Sequence, residues 1–391
     1  MDSMENVKKM DLRRFIKEAN NAFQIFKTNI DEGLNITLGN VSCDMDSCIG
    51  AILLGYYLTM KNDYRSQPGN FDLFWLPVIN CPRKELCARI DIWHHLNKYE
   101  IDFNMLIFID DLDINHYSKN NLLKLAIVDH NILDITQQHW GPCVTMIVDH
   151  HADEKAYLDQ KHDRTITFCG SACSLIIEMI FRDNYEKYLT PEIFNFFLPA
   201  VLLDTENFKP SLEGTKWSQI DKDVIFNVSK FIMSSYYNEL LDKKTDKVLN
   251  IQLGLDLILR KDYKNYVWKK CITGISVVFN PLHEILFTFG VEFLKERLRH
   301  RMKECGLNFY AIISQTYLKT GEPYRELMMF DEDQDRLNLV KKEWAGSKIK
   351  SVLKKFTGLK DNFLFYSLSD GAVSRKRLEP VLHEIFDALT V

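Results

Sequence analysis

The residues best suited to chemistry are acids and histidines that follow short apolar runs. They occur in the segments Cys43-Asp44-Met45-Asp46-Ser47, Asp110-Asp111, Asp129-His130-Asn131 and Asp149-His150-His151, and as Asp204 at the end of an apolar helix-like segment. A single aspartate after a strand usually forms a turn or caps a helix. Five such sites in one half of the chain favour a shared role. Clustered carboxylates repel one another unless a cation neutralises them, so the pattern predicts bound metal.

The expected ligands also indicate which metal would bind. Oxygen ligands with one or two imidazoles suit Mg²⁺ or Mn²⁺ better than zinc. Two such ions about 3.5–4 Å apart can stabilise both oxygens of a phosphoryl displacement and activate a water molecule. The sequence therefore predicts a phosphohydrolase that uses two divalent ions, Mg or Mn.

The first half of the chain must supply the strands that carry these acids. Strands are predicted at Leu34–Leu38, Phe71–Ile79, Leu106–Ile109, Leu123–Val128, Val144–Val148 and Ile166–Cys169. Helix-like segments separate several of them, which is typical of a parallel α/β sheet with helices on both faces. Ligands of such sheets bind beyond the carboxyl ends of the strands, where the acids lie.

The second half predicts a smaller mixed α/β domain. Its expected elements are strands at Gly274–Phe279, Phe309–Gln315 and Glu326–Phe330, one long helix at Leu282–Cys305 and a last helix near Pro380–Leu389. The predicted segments are a lead-in helix over 1–30, a first domain over 31–215, a linker helix region over 216–248 and a second domain over 249–391.

Composition excludes several classes of protein. The net charge of -5 over 391 residues gives no basic field for coating a nucleic-acid duplex. No apolar run approaches the roughly 18 residues that span a bilayer, so no membrane role is expected. The nine scattered cysteines lack zinc-site spacing and favour reduced thiols. These features predict a cytoplasmic protein, although the basic residues at 8–14 leave a mitochondrial pool open.

Several spaced motifs resemble the DHH phosphoesterase superfamily in their order along the chain. They are Asn40-x3-Asp44-Met45-Asp46-Ser47, Asp129, Asp149-His150-His151, Gly170-Ser171-Ala172-Cys173 and Leu203-Asp204. Lys261-Asp262-Tyr263-Lys264 and Gly371-Ala372-Val373-Ser374-Arg375-Lys376 resemble motifs of the associated domain in the second subfamily. The resemblance implies a DHH domain, a DHH-associated domain and an active site in the cleft between them.

That subfamily contains manganese-dependent pyrophosphatases, eukaryotic exopolyphosphatases and prune proteins. Pyrophosphatases carry histidine where this chain has Asn40, and an amide oxygen favours Mg²⁺ over Mn²⁺. The segments at 106–113 and 258–262 resemble prune and exopolyphosphatase sequences, and the segment at 321–327 is most similar to prune proteins.

The resemblance also implies a division of roles. One metal is expected on Asn40, Asp44 and Asp129, and the other on Asp46, Asp129, His150 and Asp204. His151 is expected to face substrate with Asp149 behind it, while Lys264, Arg375 and Lys376 hold the terminal phosphate. For His150 the alternative is a structural histidine, and for the basic pair a solvated turn. The second histidine pair, His94-His95, is expected to be an ordinary part of a helix.

The implied activity is hydrolysis of terminal phosphoanhydrides in short polyphosphates. The alternatives are cyclic nucleotide phosphodiesterase activity on cyclic AMP, pyrophosphatase activity, or a regulatory protein that acts by binding nucleoside diphosphate kinase. The intact set of acids favours an enzyme.

Overall fold

The chain forms two compact units, residues 1–243 and 244–391. The computed structural model describes residues 10–67, 69–159, 162–228, 234–268, 271–318, 322–359, 362–371 and 373–388. Within the predicted lead-in segment it contains a helix, and residues 1–9 lie outside the described ranges. Among the described helices, none has the length and apolar character needed to cross a membrane. The four predicted segment boundaries stay predictions.

A six-stranded sheet forms the centre of the first unit. Its strands are β1 Leu34–Leu38, β2 Leu76–Ile79, β3 Ile107–Phe108, β4 Leu123–Val128, β5 Val144–Asp149 and β6 Asp163–Ile166. All neighbouring strands are parallel, in the order β3-β2-β1-β4-β5-β6. Doubly wound α/β folds have this order, and their ligands bind where the order reverses, here between β1 and β4. The predicted parallel α/β domain is confirmed.

Burial explains why these segments become strands. All five residues of β1 are buried, and β4 is buried except at Lys124. Near-continuous apolar runs are typical of parallel strands covered on both faces. The edge strand β6 has no buried residue, which accounts for its weak signal in the sequence.

The described helices of the first unit precede, connect or follow these strands. They are α1 Leu12–Thr28, α2 Met45–Lys61, α3 Ile90–Lys98, α4 Ile114–Lys119, α5 Ala172–Arg182, α6 Pro191–Asp204, α7 Gln219–Val228 and α8 Ser234–Thr245, which ends just past the division between the units. Helix α2 is buried from Met45 to Met60 and contacts β1, α5 and α6. Because α2 begins directly after Asp44, its first turn carries the acidic motif into the core.

The second unit is a smaller domain with a mixed sheet, as predicted. Its strands are β7 Tyr263–Trp268, β8 Cys271–Val278, β9 Phe309–Tyr317, β10 Pro323–Phe330, β11 Ser351–Leu353 and β12 Phe363–Leu368, and its helices are α9 Lys247–Gln252, α10 Leu255–Lys261, α11 Leu282–Phe289, α12 Val291–Cys305, α13 Gln334–Trp344 and α14 Arg375–Ala388. The order is β11-β12-β10-β9-β8-β7, and only β8 and β9 pair in parallel among the described strands. Two apolar clusters pack against this sheet.

Three predicted elements differ from the structure. The strand expected at Phe71–Ile79 begins only at Leu76, after a 3-10 turn at Phe71–Leu73. The strand expected at Ile166–Cys169 is wrong, because β6 ends at Ile166. The single helix expected at Leu282–Cys305 is two helices, since Gly290 adopts a φ of 83° and ends α11. A positive φ is accessible to glycine at little cost but breaks the helical hydrogen-bond pattern.

His95 is a structural histidine of the core, as expected for a residue of α3. Its Nδ1 lies 2.8 Å from the Tyr236 hydroxyl and its Nε2 lies 2.8 Å from the Phe196 carbonyl oxygen. The side chain is fully buried, and this burial lowers the pKa of His95 to about 4. The ring is therefore neutral in the folded protein at physiological pH.

We predict that His95 makes the folded protein sensitive to acid. The unfolded chain binds a proton at His95 below its ordinary pKa of about 6.5, whereas the folded chain does so only near pH 4. The free energy of unfolding should therefore fall as pH drops from 6.5 toward 4, by up to about 1.4 kcal/mol per pH unit.

Urea denaturation of the full chain at pH 7 and pH 5 measures this effect. His95→Gln should lower stability at pH 7 and reduce its loss between the two pH values. The control is His94→Gln, since His94 pairs with Glu239 at the surface (Nε2 to Oε1, 2.6 Å). An equal pH dependence in His95→Gln and the wild-type protein would contradict the prediction.

Candidate metal centre

The ends of β1 and β4 meet through a pair of side chains. Asn40 lies two residues after β1, and Asp129 directly follows β4 in a left-handed conformation with φ 62°. The Asn40 side-chain N–H donates to Asp129 Oδ2 at 2.7 Å, and the Ser47 hydroxyl donates to the same oxygen at 2.6 Å. The Asp129 carboxylate is buried at the point where the strand order reverses.

His150 faces this carboxylate from the end of β5. Its Nε2 lies 3.1 Å from Asp129 Oδ1 and 3.8 Å from Asp46 Oδ2. Its Nδ1 lies 3.0 Å from the carbonyl oxygen of Cys169. Because a carbonyl oxygen only accepts, Nδ1 carries the proton of the neutral ring, and the lone pair of Nε2 points toward two carboxylates. A cation between these atoms would neutralise the two carboxylates.

Asp46 is held by the beginning of helix α5. The Ser171 hydroxyl donates to its Oδ1 at 2.5 Å, and the backbone N–H of Ala172 donates to its Oδ2 at 2.7 Å. Burial, together with the charge of Asp129, raises the pKa of Asp46 to about 6, against the opposing effect of His150. The two buried carboxylates therefore repel each other in the absence of a neutralising ion.

The donor set fits a divalent metal. Octahedral Mg²⁺ binds its ligands at about 2.1 Å, which places adjacent donor atoms about 3 Å apart. The distances of 3.1 and 3.8 Å from His150 Nε2 to Asp129 and Asp46 are close to this spacing. Asp129, Asp149, His150 and His151 also form a compact group whose potential ligand atoms lie within 4.8 Å of one another.

Asp149 holds His151, and both of its carboxylate oxygens accept hydrogen bonds. Its Oδ1 accepts from the backbone N–H of His150 (2.8 Å) and from His151 Nδ1 (2.8 Å), and its Oδ2 accepts from the Asn131 side-chain N–H (2.5 Å). Burial opposes ionisation of Asp149, but the hydrogen bond and charge of His151 outweigh it and lower the pKa to about 2. Asp149 thus fixes the orientation of the His151 ring.

Two other predicted ligands lie at helix ends. Asp44 is half-buried and caps α2 by accepting from the Ser47 backbone N–H at 3.1 Å. Asp204 is the last residue of α6. Burial raises the pKa of the Cys173 thiol, with further contributions from Asp46 and Asp204, which places Asp204 in the electrostatic surroundings of this centre.

Not every acid at a strand end takes part. Asp110 Oδ1 accepts from the backbone N–H of Arg83 at 3.0 Å, and Asp111 forms an ion pair with the Arg83 guanidinium. These two acids stabilise the segment around β3. This is the ordinary structural role of an aspartate that follows a strand.

The predicted phosphate-binding residues lie in the second unit. Arg375, the first residue of α14, pairs with Asp262 Oδ1 at 2.6 Å, and Lys264 lies on β7. Burial opposes ionisation of Asp262, but the charges of Arg375, Lys244 and Lys264 outweigh it and lower its pKa. Several cations therefore surround one carboxylate. Lys376 is exposed on the first turn of α14, and Ala372 of the same motif lies outside the described residues.

Supporting residues are the part of the centre that sequence reasoning missed. Ser42 donates its backbone N–H and its hydroxyl to Asn40 Oδ1, at 2.9 and 2.6 Å, and Asn131 holds Asp149. Both lie within two residues of a predicted site residue. That proximity was the only available signal, because a hydrogen-bonding partner cannot be assigned before the strands are arranged.

Comparison with known proteins agrees with this fold. Residues 238–385 match the DHHA2 domain family. Mouse exopolyphosphatase PRUNE1 is 26% identical over 91% of this chain and 76% of its own length. A putative exopolyphosphatase of Schizosaccharomyces pombe is 26% identical over 88% of each chain. The crystal structure of a putative family II inorganic pyrophosphatase from Methanococcus jannaschii has a similar fold, with a TM-score of 0.60 at 17% identity over 90% of this chain and 100% of that one.

The DHHA2 match over residues 238–385, together with exopolyphosphatase relatives that align with most of the chain, supports the DHH superfamily and a prune-like chain.

We predict that divalent metal stabilises the folded protein. An ion that binds only the native state adds about 2.7 kcal/mol at 100 times its dissociation constant. Mg²⁺ or Mn²⁺ should therefore raise the melting temperature, and a chelator should reverse the change. Asp129→Asn should remove most of this shift, because it removes the charge between Asn40 and His150.

Differential scanning calorimetry with and without metal measures the shift. The matched control is Asp183→Asn, since Asp183 pairs with Lys61 (2.6 Å) at the end of α5 opposite Asp46. An undiminished shift in Asp129→Asn would show that the ion binds elsewhere.

Proposed function

We propose that the chain is a metal-dependent phosphohydrolase of the prune type that cleaves terminal phosphoanhydrides of short polyphosphates. The observation that carries the proposal is the convergence of His150 Nε2 with Asp129 Oδ1 at 3.1 Å and Asp46 Oδ2 at 3.8 Å in a buried centre. The names of the mouse and yeast relatives support the choice of reaction.

Asp129, Asp46, His150 and Asp204 are the residues proposed to hold metal. A divalent cation in this centre would activate water for attack on phosphorus and neutralise charge that develops on the phosphate oxygens. The binding of two ions, which the family resemblance implies, stays a prediction.

His151 is proposed to contact the substrate phosphate. Its Nδ1 donates to Asp149 Oδ1 at 2.8 Å, so that the ring is held in one orientation with Nε2 on its far side. The adjacent carboxylate stabilises the protonated ring, in which Nε2 donates a hydrogen bond to a phosphate oxygen. Since Asn131 occupies the other oxygen of Asp149, this carboxylate has no freedom to rotate away.

The basic residues of the second unit are proposed to bind the terminal phosphate. Arg375, Lys244 and Lys264 place more positive charge around Asp262 than its carboxylate can neutralise. An arginine whose guanidinium is fixed by a carboxylate is well oriented for contact with an anion. A polyanionic substrate therefore fits this cluster better than a neutral one.

The remaining alternatives stay predictions. Hydrolysis of cyclic AMP, hydrolysis of pyrophosphate and binding of nucleoside diphosphate kinase each follow from the family resemblance, and no contact described above favours one of them. Magnesium or manganese as the physiological ion and a cytoplasmic location stay predictions as well.

We expect phosphate release from tripolyphosphate and tetrapolyphosphate to exceed hydrolysis of pyrophosphate and cyclic AMP. The assay compares the four substrates at equal concentration, first in Mg²⁺ and then in Mn²⁺. Asp129→Ala should abolish turnover while circular dichroism stays native. Turnover of cyclic AMP alone would replace the proposed reaction, and absence of turnover on all four would refute an enzyme.

A second kinetic prediction concerns Arg375. Arg375→Ala should raise KM for tripolyphosphate about 10- to 100-fold, with a smaller change in kcat, because a hydrogen bond to a charged group contributes about 1.5–3 kcal/mol. Arg377→Ala is the control, since Arg377 is a neighbouring exposed arginine that pairs with Asp370 at 2.8 Å. Equal KM values for the two variants would remove Arg375 from the substrate site.

A further inference from the structure

We propose that two copies of this chain associate through a groove on the second unit, called here the α9–α11 groove. Helices α9 and α11 and the side chain of Phe356 line this groove, whose volume is about 600 Å³. The partner that fits it is a second copy of the chain, related to the first by a twofold axis. The inference concerns assembly and is independent of the proposed reaction.

The groove carries the most exposed apolar side chains. Phe287 on α11 is 89% exposed and Val248 on α9 is 67% exposed, the two highest values among the large apolar residues that the structure describes. Both residues line the groove. Single exposed apolar side chains are ordinary, whereas a concave surface that gathers them is typical of an interaction site. Contact with another apolar surface would remove both side chains from water.

Phe287 is exposed because it lies on the side of α11 that faces away from the core. Leu282, Ile285 and Leu286 of the same helix are buried in the apolar cluster beneath it. Phe287 and Glu284 are three residues apart, so they lie on the same side of the helix, and both line the groove. The core is therefore filled without Phe287, whose ring makes little contact within its own chain.

Hydrogen bonds fix the two walls of the groove. The fully buried side chain of Asn280, two residues before α11, donates from Nδ2 to the backbone carbonyl oxygen of Lys247 on α9 at 2.9 Å. The backbone N–H of Leu282 donates to Glu326 Oε2 at 2.7 Å, which ties the first residue of α11 to strand β10. The groove is thus formed before a partner binds, and this lowers the entropy cost of association.

The charges of the groove indicate which partner fits. Lys247 on α9 and Glu284 on α11 both line it, and neither forms an ion pair with any residue in the described ranges. A twofold axis brings α9 of each copy against α11 of the other, because residues of such an interface contact each other reciprocally. Lys247 then pairs with Glu284 of the partner subunit, and the same pair occurs a second time. One unpaired base and one unpaired acid are therefore complementary to a second copy of the same surface.

Two other kinds of occupant fit this surface less well. An anionic membrane attracts Lys247 but repels Glu284, whereas helices that lie on membranes carry mainly basic residues on their polar side. A helix of a different protein could cover the apolar residues, but it would need an acid and a base at the matching spacing. A second copy of the chain supplies both charges.

Phe287 provides the apolar part of the same contact. In the twofold arrangement each copy places its Phe287 in the groove of the other copy. Burial of a phenylalanine removes about 150–250 Å² from water, so the two rings supply roughly a quarter of a standard interface of about 1,600 Å². The apolar and charged contacts thus come from the same two helices.

Analytical ultracentrifugation of the full chain at rising concentration tests the proposal. We expect a monomer–dimer equilibrium, and Phe287→Ala should raise the dimer dissociation constant about 100-fold, because both copies lose the ring. Leu339→Ala is the matched control, since Leu339 is an exposed residue of α13, a helix that packs in the other apolar cluster of the second unit. The control variant should dimerise like the wild-type chain.

Charge reversal tests the twofold pairing. Lys247→Glu and Glu284→Lys should each weaken the dimer, because each variant places like charges opposite one another. A mixture of the two single variants should form a heterodimer, in which both contacts join opposite charges, and the double variant should dimerise again. Mixing would not restore an ion pair that forms within one chain.

Three results would overturn the inference. They are a wild-type chain that stays monomeric up to about 100 μM, a dimer whose dissociation constant is unchanged in Phe287→Ala, and single charge variants that form no heterodimer when mixed. Binding of a monomeric chain to anionic phospholipid vesicles, lost in Phe287→Ala, would assign the groove to a membrane and overturn it as well. Circular dichroism checks that each variant is folded.

Discussion

The burial of the Asp129 carboxylate is the constraint on which the centre depends. A buried charge is tolerated only where hydrogen bonds and opposite charge compensate for its lost hydration. Asn40 and Ser47 stabilise one oxygen with neutral donors, and His150 and Asp46 surround the other with acceptors. Neutral donors cannot balance two adjacent carboxylates, so the side of Asp129 that faces His150 and Asp46 is the one proposed to bind a cation.

The doubly wound sheet is what brings these groups together. Asn40 and Asp129 are separated by 89 residues in the chain, yet they follow adjacent parallel strands and meet where the strand order reverses. Helix α2 begins at this point and brings Asp46 to the start of α5, whose N–H groups bind its carboxylate. The left-handed backbone of Asp129 turns the chain so that its side chain stays in the centre.

The second unit also contains a buried carboxylate, but the charges around it have the opposite sign. Around Asp262 the neighbouring charges are positive and lower its pKa, whereas around Asp46 burial and a like charge raise the pKa to about 6. In the first unit two carboxylates therefore lie close together, and in the second unit basic side chains surround a single carboxylate.

The sequence by itself determined the apolar strands, because buried parallel strands such as β1 and β4 are continuous apolar runs, and it determined the acids that follow them. It did not reveal β7 or β12, whose strand character depends on pairing within a mixed sheet, nor the break at Gly290. Only the tertiary structure decided what each acid does. Asp110 and Asp111 contact Arg83, Asp149 supports His151, and Asp129 lies between donors and acceptors. The physical reason is that residue type fixes which hydrogen bonds a side chain can make, whereas the fold fixes the partners it meets. The Asn40 amide can donate and accept, and it donates to Asp129 because the backbone N–H of Ser42 donates to its oxygen.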